Sequence, residues 1–200
     1  MATAILLGTI LGITTIFYAV PILSRTTYVQ STIDKRYYKV LNVPSRQKAA
    51  DILAVLRENI EKLVTHIKLK YLKNHTISEE ETTNLKDIFK RLDKLDLDEI
   101  QENELNSDHT AYSVNKGERL HFCVRSNKTG GHIQDNSNLL MYVALHEMAH
   151  VITLSRGHTK EFWKNHQLLL KEAIESKVYN PIDFSKNTIL YCGQIIKTNS

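Results

Sequence analysis

Residues 139–158, LLMYVALHEMAHVITLSRGH, decide how this chain reads. Seven largely apolar residues, Leu139 to Leu145, run directly into His146-Glu147-Met148-Ala149-His150. A segment apolar nearly all round belongs to a buried helix, expected here from about 137 to 154. Residues four apart on a helix share a face, so His146 and His150 can reach one metal ion. Glu147 points partly aside, placed to take a proton from water rather than to bind the metal. HExxH alone arises by chance in roughly one of 40 chains of this composition. The buried setting adds weight, because two buried imidazoles and a carboxylate without partners cost several kcal/mol. A metal supplies the partner. The rival reading is a buried helix whose polar groups satisfy one another.

A catalytic zinc site needs a third protein ligand and an open position. His158 lies eight residues after His150, and Gly157 can end the helix and turn the chain back. Glu172, on the next helix (about 159–177), is the alternative ligand. Metzincin spacing is absent, since it needs glycine and histidine where Thr153 and Arg156 stand. Phe162 and Trp163 read as core aromatics under the site. His132, in a Gly-rich loop, could approach the cleft. His66, His75, His109, His121 and His166 read as surface residues. Tyr142, one turn before His146, is a weak candidate for stabilising an oxyanion.

Working outward, Arg119–Arg125 alternates apolar and mixed faces and pairs with Thr110–Val114 across the turn 115–118. Tyr37–Leu41 reads as a strand ended by Pro44, with Ser45 a cap for a long amphipathic helix. Ser78 and Glu81 form a capping box before another helix. Residues 96–109 read as a loop or frayed helix end, and the tail 180–200 as irregular. The expected fold class is α+β: a few-stranded sheet packed on helices that include the HExxH helix.

The chain has 200 residues and a net charge of +4, with both signs interspersed. That is too mild and mixed for a nucleic-acid footprint, so no specific nucleic-acid binding is expected. Its two cysteines, Cys123 and Cys192, are no disulfide scaffold, though they could form one bridge in an oxidising compartment. Residues 2–23 carry no charge, and about 33 Å of helix would cross a bilayer. The expected organisation is therefore a transmembrane anchor over 1–24, a linker over 25–36 and a domain over 37–200. Arg25, Lys35, Arg36 and Lys39 place that domain in the cytosol by the positive-inside rule. The sequons at Asn74 and Asn127 would matter only in a lumen. Gly8 and Gly12 form GxxxG, a helix-pairing pattern that suggests self-association.

From Glu118 to about Trp163 the chain resembles the WLM family of zinc metallopeptidases, relatives of the SprT-like proteases. The shared order is a strand, a loop, Leu-His-Glu-x-x-His, then Gly157-His158 and an aromatic residue. The resemblance implies a zincin-like domain with His146, His150 and His158 as zinc ligands and Glu147 as catalytic acid/base. It also implies that the upstream strand forms the cleft edge on which an extended peptide docks. Better-known members act on proteins crosslinked to DNA and carry DNA or ubiquitin-like binding motifs, which this sequence lacks. Short membrane-anchored proteins of this type occur in large DNA viruses, which would suggest a host or virion membrane.

The leading expectation is a membrane-anchored zinc peptidase acting on protein or peptide. Its rivals are a zinc-stabilised structural protein of a membrane or virion, with a closed four-ligand site, and a DNA-associated protease.

Overall fold

A computed structural model describes residues 25–72, 79–126, 128, 131–184 and 189–196. The elements run β1 (Thr26–Gln30), β2 (Tyr37–Leu41), α1 (Arg46–Leu72), α2 (Glu79–Leu92), β3 (Ile100–Glu102), β4 (Ala111–Val114), β5 (Arg119–Phe122), α3 (Ser137–Ile152), α4 (Lys160–Glu175), β6 (Ile189–Tyr191) and β7 (Gln194–Ile196). The main sheet has the order β1-β2-β3-β5-β4. Its outer pairs, β1–β2 and β5–β4, are antiparallel, and the two inner pairings are parallel. β6 and β7 form a separate hairpin.

α1 and α3 supply most of the core, Leu53, Ile60 and Leu63 coming from α1 and Met141, Leu145 and Met148 from α3. Twelve residues of α3 are buried, as its nearly uniform apolarity requires. Asn136 caps α3 by accepting from the Leu139 amide. Thr159 does the same for α4 through Phe162.

Several expectations change. The stretch read as a linker over 25–36 contains β1, which pairs along its whole length with β2. The polar stretch 96–109 contains β3, in the middle of the sheet. Its Glu102 is buried against Arg125, whose Nε donates to Glu102 Oε1 at 2.6 Å. Glu102 also accepts from the Leu41 amide at 2.7 Å. Arg125 donates onward to the Ser45 hydroxyl, which therefore serves this network. The tail forms the β6–β7 hairpin, and a disulfide joins Cys192 in its turn to Cys123. Tyr191 anchors the same turn: it is fully buried and donates to the Cys123 carbonyl at 2.7 Å.

The single-pass membrane reading is corrected. Among the described residues no helix is long and apolar enough to cross a membrane. α1 has the length, but it carries charges from Arg46 to Lys70. α3 has the apolarity, but 16 residues make only about 24 Å of helix, short of a hydrocarbon core of about 30 Å. Residues 2–23, with Gly8 and Gly12, lie outside the described residues, as do Asn74, Ser78 and Asn127. The fold is α+β without an established transmembrane helix. The cytosolic placement, which rested on that helix, falls with it.

Candidate metal centre

α3 presents His146 and His150 on one face, and the chain after it returns His158 to the same point. The His158 and His146 Nε2 atoms lie 3.0 Å apart. One ring nitrogen from each of the three histidines falls within 4.8 Å of the others. Phe162, fully buried on the first turn of α4, packs against all three imidazoles, with ring centroids 4.3–4.9 Å away. Trp163 stacks on His158 at 5.6 Å. The two aromatics thus form the floor of the cluster.

The return of His158 has a visible cause. α3 stops at Thr153, whose hydroxyl accepts from Asn165 Nδ2 at 2.9 Å. Glu161 accepts from the amides of Leu154 and Ser155, at 2.9 and 3.2 Å, and from the Ser155 hydroxyl at 2.8 Å. Gly157 then takes φ 79°, a left-handed conformation that favours glycine. Lys116, in the β4–β5 turn, donates to the carbonyls of His150 and Thr153 at 2.8 and 2.7 Å. Arg91 donates to the Ile152 carbonyl at 2.7 Å. Two cations thus satisfy the carbonyl end of the helix, where its dipole favours positive charge.

The donor set fits a metal such as zinc. Burial, reinforced by His150, His166 and His158, pulls the His146 pKa down to about 3. Burial, with His158 and Lys116, pulls His150 down to about 4. Both rings are therefore neutral near pH 7, the form that coordinates a metal. Among the described residues this cluster has three members, which leaves a position open. Glu147 is buried, and desolvation pushes its pKa up to about 7, the range suited to a general base at neutral pH.

Glu172 is elsewhere. It is fully buried between α4 and α1, accepting from Lys70 at 2.9 Å and from the Tyr71 hydroxyl at 2.9 Å, with His66 Nε2 at 3.2 Å. The Lys70 ammonium already balances this group, so Glu172 belongs to a structural network. His132 is exposed.

Sequence reasoning missed His166. It is buried, with its ring 5.7 Å from that of His146, and its Nε2 has no hydrogen-bond partner. The available signal was its spacing from Phe162, Leu169 and Ala173, which puts it on the inner face of α4.

The histidines and Glu147 open onto a cleft of about 830 Å³. One side is β4, through Ala111, Tyr112 and Ser113, and another is the C-terminal hairpin, through Gln194 and Ile196. β5 was expected at the cleft edge, but it lies inside the sheet between β3 and β4. β4 is the edge strand, because it is the outermost element of the order.

No protein-family model matches this chain. No solved structure matches it either. The chain is similar to an uncharacterized protein of Acanthamoeba polyphaga mimivirus, with 35% identity over 173 residues, covering 86% of this chain and 83% of that protein. An uncharacterized protein of Invertebrate iridescent virus 3 is 38% identical over 87 residues, 43% of this chain and 51% of that one. One of Invertebrate iridescent virus 6 is 32% identical over 83 residues, 41% and 44% of the two chains.

Proposed function

The chain belongs to one family with the mimivirus protein, and we propose that it is a zinc-dependent peptidase of the WLM type. One observation carries the reading: three imidazoles converge beside Glu147 in a cleft that an edge strand borders. A structural zinc site would normally be closed by a fourth protein ligand.

His146, His150 and His158 would hold the ion. Zinc, when bound, supplies a Lewis acid that polarises a carbonyl and lowers the pKa of water to about 7. Glu147 accepts the proton from the attacking water and hands it to the leaving amine. The outward N–H and C=O groups of β4 bind the substrate backbone as an added strand, which fixes the scissile bond over the histidines. Phe162 and Trp163 keep the ligand rings from turning.

The test uses the purified full chain loaded with zinc, with zinc per chain and cleavage of unfolded proteins as readouts. One zinc per chain and cleavage that Glu147→Gln abolishes are expected. A wild type that binds zinc yet cuts nothing that Glu147→Gln spares would overturn the peptidase reading.

A further inference from the structure

The metal cleft is unevenly charged. Among the described residues that line it, the Lys and Arg side chains are Lys116 and Arg156, and the one carboxylate is the buried Glu147. Lys116 stands in the turn that follows β4, and Arg156 in the loop between α3 and α4 that delivers His158. Lys116 donates to the carbonyls of His150 and Thr153, and Arg156 follows Thr153 by three residues. Burial disfavours the Lys116 charge most, and Arg91 and Arg156 are close enough to add to that, against Glu161. The two lining cations therefore mark one end of the cleft, past the last residue of β4.

The nearby carboxylates are spent elsewhere. Glu161 accepts from the amides of Leu154 and Ser155 and from the Ser155 hydroxyl. Glu118, in the same turn as Lys116, accepts from Asn115 Nδ2 at 2.7 Å and does not line the cleft. Arg156 is exposed, and among the described residues no ion pair or hydrogen bond holds its guanidinium. Lys116 is also exposed. An ammonium has three protons to donate, and the two carbonyls take two of those on Lys116. A cleft lined by one sign of charge favours a ligand of the other. β4 offers backbone N–H and C=O groups in the same cleft, which suits a peptide. A nucleic-acid backbone calls for a longer track of cations than two.

We propose that the Lys116–Arg156 end of the cleft is a subsite for the carboxylate of an Asp or Glu side chain in a bound peptide. That this residue flanks the cleaved bond rests on the peptidase reading; the preference for an acidic peptide does not.

The probes are short fluorescein-labelled peptides of alanine and serine that differ only in carrying Glu, Gln or Lys at one central position. Their binding to the zinc-loaded full chain carrying Glu147→Gln is read by fluorescence anisotropy. The Glu peptide is expected to bind about tenfold more tightly than the Gln peptide, the effect of one charge-assisted hydrogen bond. The advantage should shrink as salt is added. Arg156→Gln should reduce it, and Arg156→Glu should reverse it in favour of the Lys peptide, with zinc per chain measured for both. Equal binding of the Glu and Gln peptides, binding of neither, or a Glu preference that survives both substitutions in zinc-replete chains would overturn the proposal. So would a single-stranded oligonucleotide that binds more tightly than the Glu peptide and is weakened by Arg156→Gln, which would give these cations to nucleic acid. Cleavage by the wild type separates the two readings. A Glu preference in binding by a chain that cuts no peptide sinks the peptidase and keeps the subsite. Cleavage indifferent to Glu, Gln and Lys, with equal binding of the three, does the reverse.

Discussion

His158 Nε2 stands 3.0 Å from His146 Nε2, although the two residues are separated by the end of α3 and a glycine turn. His158→Ala should therefore remove most of the zinc affinity, measured by competition with a chromophoric chelator. Glu172→Gln should keep one zinc per chain. It should still lower stability by about 2–4 kcal/mol, because Lys70 loses a buried partner. Chelator titration and denaturant unfolding of the two variants read the contrast. Zinc lost in Glu172→Gln and kept in His158→Ala would reverse the assignment.

Glu161 touches no ligand ring, yet it pins Leu154 and Ser155 with three hydrogen bonds. Glu161→Ala frees the loop that delivers His158. Zinc affinity is expected to fall about 10–100-fold, as for other groups that orient a ligand. A cobalt-substituted sample should show a changed visible spectrum, which a mere loss of stability would not produce.

The zinc-free protein should respond to pH in two ways. The lowered His146 and His150 disfavour protonation in the folded state, so their contribution is present above about 6.5 and is lost as pH falls toward 3–4. Glu147 works in the opposite sense. Its pKa is raised from 4.5 to about 7, so its contribution is full below 4.5 and is lost as pH rises through about 7. Glu147→Gln removes that loss, and the zinc-free variant should exceed wild type at pH 8 by on the order of 2–3 kcal/mol. Thermal unfolding at pH 5 and pH 8 measures the difference, and equal curves at pH 8 would refute the assigned burial effect.

Arg125 and Glu102 form a buried pair, and buried pairs are costly to break. Arg125→Ala is expected to destabilise the fold by about 3–5 kcal/mol, while a double apolar replacement should recover much of that loss. Urea unfolding of the single and double variants decides it.

Breaking the Cys123–Cys192 bond should cost about 4 kcal/mol, given a 69-residue separation. Because Tyr191 still anchors the turn, the hairpin wall should loosen before the domain unfolds. Hydrogen exchange with and without reductant should show protection lost first over 189–196. Uniform loss across the domain would contradict the idea.

The local chemistry was written in the sequence. An apolar run leading into HExxH dictated a buried helix with two imidazoles on one face, because helical periodicity alone fixes that geometry. Gly157 before His158 signalled the turn, since few other residues adopt its backbone conformation. β3 escaped notice because Ile100-Gln101-Glu102 looks like a solvated stretch. Its burial depends on Arg125, 23 residues away. β5 alternates as a half-buried strand does, and the family resemblance implied that it forms the cleft edge, but pairing on both sides leaves that edge to β4. Glu172 and His158 were both plausible third ligands by residue type, and only the fold shows that His158, not Glu172, lies beside His146 and His150. His166 lies on a helix whose inner face the sequence indicates, but only the packing of α4 on α3 brings it to the cluster. Periodicity and residue type act locally and can be read along the chain. Which distant side chains share one site is set by the packing of whole elements, where burial and hydrogen-bond satisfaction are decided together.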